Sequence, residues 1–127
     1  MKAPIDKSRL LLYAARVLGL LWAGFWLFFG IASGVGENLQ LSGIIMHILF
    51  PGLVFLGIAL LAWRWPNHGV FVFLLIGAFV LIGYPVMMHH FPLSTIIFME
   101  LTMALPPILA GILLFLSTRM KSVGTTT

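Results

Sequence analysis

Cysteine is absent from the 127 residues, and acids are nearly so: Asp6, Glu37 and Glu100 are the three carboxylates of the chain. The first absence excludes disulfides, zinc–thiolate centres, iron–sulfur clusters and thiol catalysis, and it leaves the redox compartment undetermined. The second removes acid-rich magnesium sites and carboxylate pairs at catalytic spacing. No nucleophile elbow and no phosphate-binding glycine loop occurs either, so the chain is expected not to be an enzyme. Charged residues of every kind make up only 8%, against 61% hydrophobic residues. A soluble domain of this size needs more polar surface than that. With a mean hydropathy of +1.15, the composition is that of a membrane protein.

Spans of about 20 residues cross a bilayer, and four of them with short connections fill the chain. The apolar runs predict a single transmembrane domain over 1–127, an all-α integral membrane four-helix bundle with spans at about 10–32, 41–62, 70–88 and 93–117. The first run follows a basic head carrying Lys2, Lys7 and Arg9. A secretory signal has an apolar region of only about 7–15 residues, so this longer run reads as a retained helix. Arg16, two turns in, is expected to snorkel back toward the headgroups. Ala15, Gly19 and Ala23 recur every four residues as a helix-packing stripe.

Gly30, Ser33, Gly34, Gly36, Glu37 and Asn38 break the apolar pattern and mark the first loop. In the second span Pro51 follows His47 by one turn and is expected to kink the helix there. Trp63-Arg64-Trp65-Pro66-Asn67-His68-Gly69 reads as an interfacial hairpin. Pro92 opens the fourth span, with Ser94 or Thr95 available to cap it. Arg119 and Lys121 close that span before the Thr-rich tail, Thr125 to Thr127.

Orientation follows from the cations. With alternating spans, all seven basic residues, Lys2, Lys7, Arg9, Arg16, Arg64, Arg119 and Lys121, fall on one side. The positive-inside rule then places both termini in the cytoplasm, in a multi-pass protein of the cell inner (plasma) membrane. The cations are spread over three segments at headgroup level, which speaks against nucleic acid as a partner. The bilayer itself is the expected partner, with a homo-oligomer or a larger membrane complex as further expectations.

Glu100 is the costly residue. It lies roughly eight residues, about 12 Å, inside the last span. A carboxylate at that depth costs about 2.5 kcal/mol or more on insertion scales, so it faces a partner, a cavity or another subunit. His47 enters from the same side at similar depth, and His89 and His90 sit just above. Met46, Met87, Met88, Met99 and Met103 share this outer half. Four readings stay open. His47, His89, His90 and Glu100 are candidate metal ligands, with thioether and imidazole favouring copper(I) and imidazole with carboxylate favouring zinc or iron. A bis-histidine haem using His47 with His89 or His90 is the second. A proton- or ion-linked Glu100–His47 pair of a small transporter is the third. The fourth is purely structural: Glu100 and His47 bond each other, or Thr102 and backbone groups freed by prolines, with methionines as fillers and no cofactor. The fourth reading is preferred, which makes the chain a non-enzymatic structural or accessory membrane component.

The order of segments also resembles a family of uncharacterised small four-helix membrane proteins of bacteria and archaea. The resemblance rests on Ala15-Arg16-Val17-Leu18-Gly19-Leu20-Leu21, on Leu61-Ala62-Trp63-Arg64-Trp65 followed by Gly69, and on Ala104-Leu105-Pro106-Pro107-Ile108-Leu109-Ala110-Gly111-Ile112-Leu113. It implies a domain of unknown function with no catalytic or cofactor residues to transfer. The Met87-Met88-His89-His90 segment and the approach to Glu100 lie outside that pattern.

Overall fold

The computed structural model describes residues 6–123, and these form four helices with no strand among them. They are α1 (Lys7–Gly36), α2 (Leu41–Arg64), α3 (Pro66–Met87) and α4 (Leu93–Ser122), each long and apolar enough to cross a membrane. Lys2 and the tail Thr125 to Thr127 lie outside the described residues.

The helices alternate in direction, as long-range hydrogen bonds at the basic end show. The Ser117 hydroxyl of α4 donates to the Ser8 carbonyl of α1 at 2.8 Å. Arg16 of α1 donates to the Trp63 carbonyl near the end of α2, also at 2.8 Å, and its guanidinium lies 5.0 Å from the Trp63 ring. Arg16 therefore does more than snorkel. It caps a C-terminal carbonyl of its neighbour, where a cation also meets the negative end of the helix dipole.

Lipid is as apolar as leucine, so close approach rather than hydrophobic sorting holds such helices together. The core is accordingly built from small residues around an aromatic plug. Ala15, Ala23 and Ala110 have no exposed surface. A Cβ on Gly69 of α3 would stand only 2.7 Å from Ala62 Cα of α2. Trp22 stacks on Phe55 with centroids 4.1 Å apart, and Phe73 meets Trp22 edge-on at 6.0 Å. The expected stripe of Ala15, Gly19 and Ala23 is buried inside this core, with Gly19 lying against the Phe73 ring. Its small residues are used up by packing within the chain.

Two local expectations are corrected. Gly30, Ser33 and Gly34 do not form a loop, because α1 continues through them to Gly36. The chain turns only at Glu37, with Asn38 in the left-handed region at φ 51°, a conformation asparagine tolerates at helix ends. Gly30 and Gly34 instead let α2 come close: a Cβ at Gly34 would sit 3.2 Å from Ile44 Cα, and one at Gly30 would strike the His47 carbonyl oxygen. Ser94 and Thr95 do not cap α4 either. Pro92 occupies the capping position with no side-chain bond, and its carbonyl accepts from the Thr95 amide.

At the start of α1 the Asp6 carboxylate accepts from the Ser8 amide at 3.0 Å and the Ser8 hydroxyl at 2.8 Å, and it pairs with Arg9 at 3.3 Å. The Ser8 hydroxyl bond is the main cause holding the Asp6 carboxyl below its ordinary range. A lowered folded-state value means that the cap contributes fully above the ordinary carboxylate range and is lost as pH falls through the lowered value. Amide exchange at Ser8 and Arg9, corrected for intrinsic rates, is therefore expected to accelerate on acidification in the native protein. Asp6→Asn should show no such acceleration, and equal pH profiles would contradict the assignment.

Candidate functional site

The half of the bundle where α1 ends and α4 begins contains the residues singled out for chemistry. It is organised by two breaks in the helices, each caused by proline. Proline lacks the N–H that would bond the carbonyl four residues earlier, so Pro51 frees the His47 carbonyl and Pro106 frees that of Thr102. In α2 the backbone opens at Ile48–Leu53, with Phe50 extended at φ −120°, ψ 122°, which is the expected kink. In α4 a wide, π-type turn covers Glu100–Ala104.

α1 serves both breaks from positions one turn apart. The Trp26 indole N–H donates to the freed Thr102 carbonyl at 3.0 Å. The freed His47 carbonyl faces Gly30, which has no side chain to exclude it. An unpaired carbonyl in lipid costs several kcal/mol, and burial in protein with a donor is the usual remedy. Trp26 was not among the candidate residues. Its signal was present in the sequence: Trp22 and Trp26 are four apart and neighbour the small stripe at Gly19 and Ala23.

The nominated His47–Glu100 bond is not made. His47 Nδ1 donates to the Gly43 carbonyl at 3.0 Å, and Nε2 points toward Glu37, 4.0 Å away. The reason is the extra length of α1. By running on to Gly36 it delivers Glu37 next to the first turns of α2. His89 lies in the turn after α3, where its Nδ1 donates to the Val86 carbonyl at 3.1 Å and its ring meets His90 edge-on at 5.8 Å. Among the described residues no three His, Asp or Glu side chains gather as a metal-holding group. The candidate ligands His47, His89, His90 and Glu100 are thus not brought together as one group.

Glu100 remains. Both its carboxylate oxygens are buried, and neither has a hydrogen-bond partner among the described residues. The Thr102 hydroxyl, an expected partner, donates instead to the Phe98 carbonyl at 2.8 Å. Neither Leu41–His47 of α2 nor Leu93–Met99 of α4 contributes a buried residue. The carboxylate therefore sits where the bundle's tight core gives way to a more open end, opposite the cations.

The family described as domain of unknown function (DUF7670) matches residues 1–125. The chain belongs to this family. Comparison with curated proteins and with solved structures finds no match. For a DUF7670 protein the site must therefore be read from its own chemistry. An unpartnered buried acid beside a helix irregularity, with no assembled ligand set among the described residues, is equipped for recognition through a hydrogen bond.

Proposed function

We propose that this protein is a non-enzymatic accessory component of the cell inner membrane that assembles, with copies of itself or within a larger complex, through the Glu100 region of its outer half. Both termini lie in the cytoplasm in this reading, because alternating spans put every basic residue of the sequence on one side and cations are retained on the inner side. The observation that carries the proposal is the Glu100 carboxyl group, its oxygens buried yet without a hydrogen-bond partner among the described residues. Within a membrane such a group is satisfied by another chain or by a transported ion. The Ala15–Gly19–Ala23 stripe plays no part in assembly, since it is already buried.

The test is the oligomeric state in mild detergent, followed by light scattering across a dilution series. Interhelical hydrogen bonds in membranes contribute about 0.6–1.7 kcal/mol, so Glu100→Ala should weaken assembly by about 3- to 15-fold. Glu100→Gln, which keeps donors and an acceptor, should recover much of that loss. A wild type that is monomeric throughout, or assembly indifferent to Glu100→Ala, would overturn the proposal. Ion-driven uptake by the protein in vesicles, abolished by Glu100→Gln, would favour the transport reading instead.

A further inference from the structure

The face of α3 beside α2 carries a lateral groove that the bundle leaves open. Three cavities of about 400, 360 and 390 Å³ follow one another along it. The first and second share Val72, and the second and third share Leu75 and Phe79. Together they form one shallow, open groove from Trp65 and His68 at the basic end to Gly83. At 1.5 Å per residue, His68 to Gly83 spans about 22 Å. One leaflet of the hydrocarbon core is about 15 Å deep, half of about 30 Å, so an acyl chain fits lengthwise.

The groove follows from the helix break. Near the hairpin α2 and α3 touch closely through Ala62 and Gly69. Beyond it, the segment Ile48–Leu53 packs on α1, where Gly52 lies against Leu27. The outer arm of α2 is thereby drawn toward α1, leaving α3 uncovered. At the basic end the guanidinium of Arg64 lies 5.6 Å from the centroid of the Trp65 ring, which forms the wall of the groove. No acidic residue occurs between Glu37 and Glu100, so α2 and α3 present no carboxylate to compete with an anion there.

We infer that this groove binds an anionic phospholipid, its acyl chain along Val72, Leu75 and Phe79 and its phosphate beside Arg64 and His68. Charge complementarity selects the occupant, since a partner's apolar helix would make no use of the cation at the groove's mouth. A cation near the surface favours an anionic lipid by about fivefold.

The experiment places the full chain in vesicles of equal phosphatidylcholine and phosphatidylglycerol, with bromine on the acyl chains of one lipid or the other. Quenching of Trp65 is isolated by difference from Trp65→Phe, made in each background, so that the signals of Trp22, Trp26 and the partly exposed Trp63 cancel. Brominated phosphatidylglycerol is expected to act about fivefold more strongly than brominated phosphatidylcholine. Arg64→Gln should bring the ratio close to one. Val72→Phe should do the same by filling the groove with every charge in place. Lys7→Gln removes the same charge at the same end but on α1, and it should change nothing. Equal quenching by the two lipids in the wild type would overturn the inference. So would a ratio that Lys7→Gln lowers as much as Arg64→Gln, the mark of general surface charge, or one that Val72→Phe leaves intact.

Discussion

Gly30→Leu is expected to unseat the N-terminal arm of α2 and to lower stability by about 1–3 kcal/mol or more, the usual range for overpacking a tight contact. The neighbour it meets is backbone: a Cβ at Gly30 would overlap the His47 carbonyl oxygen and approach the His47 carbonyl carbon to 3.1 Å. A flexible side chain can move aside, but this carbonyl is placed by the Pro51 break and has no freedom to retreat along a regular helix. Unfolding in detergent, followed by tryptophan fluorescence, gives the measurement. Gly24→Leu and Gly36→Leu are the controls, because nothing lies within 4 Å of a Cβ at either position. If Gly30→Leu proves as harmless as those two, α2 is not seated on α1 through this glycine.

Trp26→Ala should be costlier still, about 3–5 kcal/mol, the range for removing a large buried aromatic side chain. Trp26 is 3% exposed and packs edge-on against Phe25, Phe29 and Phe55, so its removal opens a cavity in the aromatic plug. Part of the loss has a separate cause, the Thr102 carbonyl left without its donor. Trp26→Phe isolates that part: most of the ring packing survives, the indole N–H does not, and about 1–3 kcal/mol is expected for an orphaned buried acceptor. The infrared amide I band gives a second readout, since the freed carbonyl should absorb at higher frequency. A ¹³C=¹⁸O label at Thr102 that reports the same frequency in wild type and Trp26→Phe would disprove the bond, whatever the stability change.

Both variants probe α1 as the element against which the two breaks pack. Pro106 made a freed carbonyl at Thr102 foreseeable, and Pro51 did so for His47. Which residue of α1 lies against each carbonyl was not foreseeable, because Trp26 and Gly30 are separated from Thr102 and His47 by 76 and 17 positions. Gly30 and Gly34 illustrate the ambiguity of glycine in an apolar sequence: the same residue that ends a helix in water permits close packing in lipid. Glu100 and His47 illustrate the limit of arguing from depth. Equal depth puts two groups at one level of the bilayer, but their bearing around each helix axis decides contact. That bearing shifts wherever a wide turn inserts a residue, as at Glu100–Ala104.

The sequence by itself determined the class, the four membrane helices and the gathering of cations at one end. These depend on hydropathy and charge summed over long segments, which no single contact can reverse. Only the tertiary structure decided the partners: Trp26 for Thr102, Glu37 rather than Glu100 for His47, and none among the described residues for Glu100. It also decided the open groove on α3. Those outcomes depend on helix rotation and on where the proline breaks bend the chain, and angles of a few tens of degrees leave no trace in composition or periodicity.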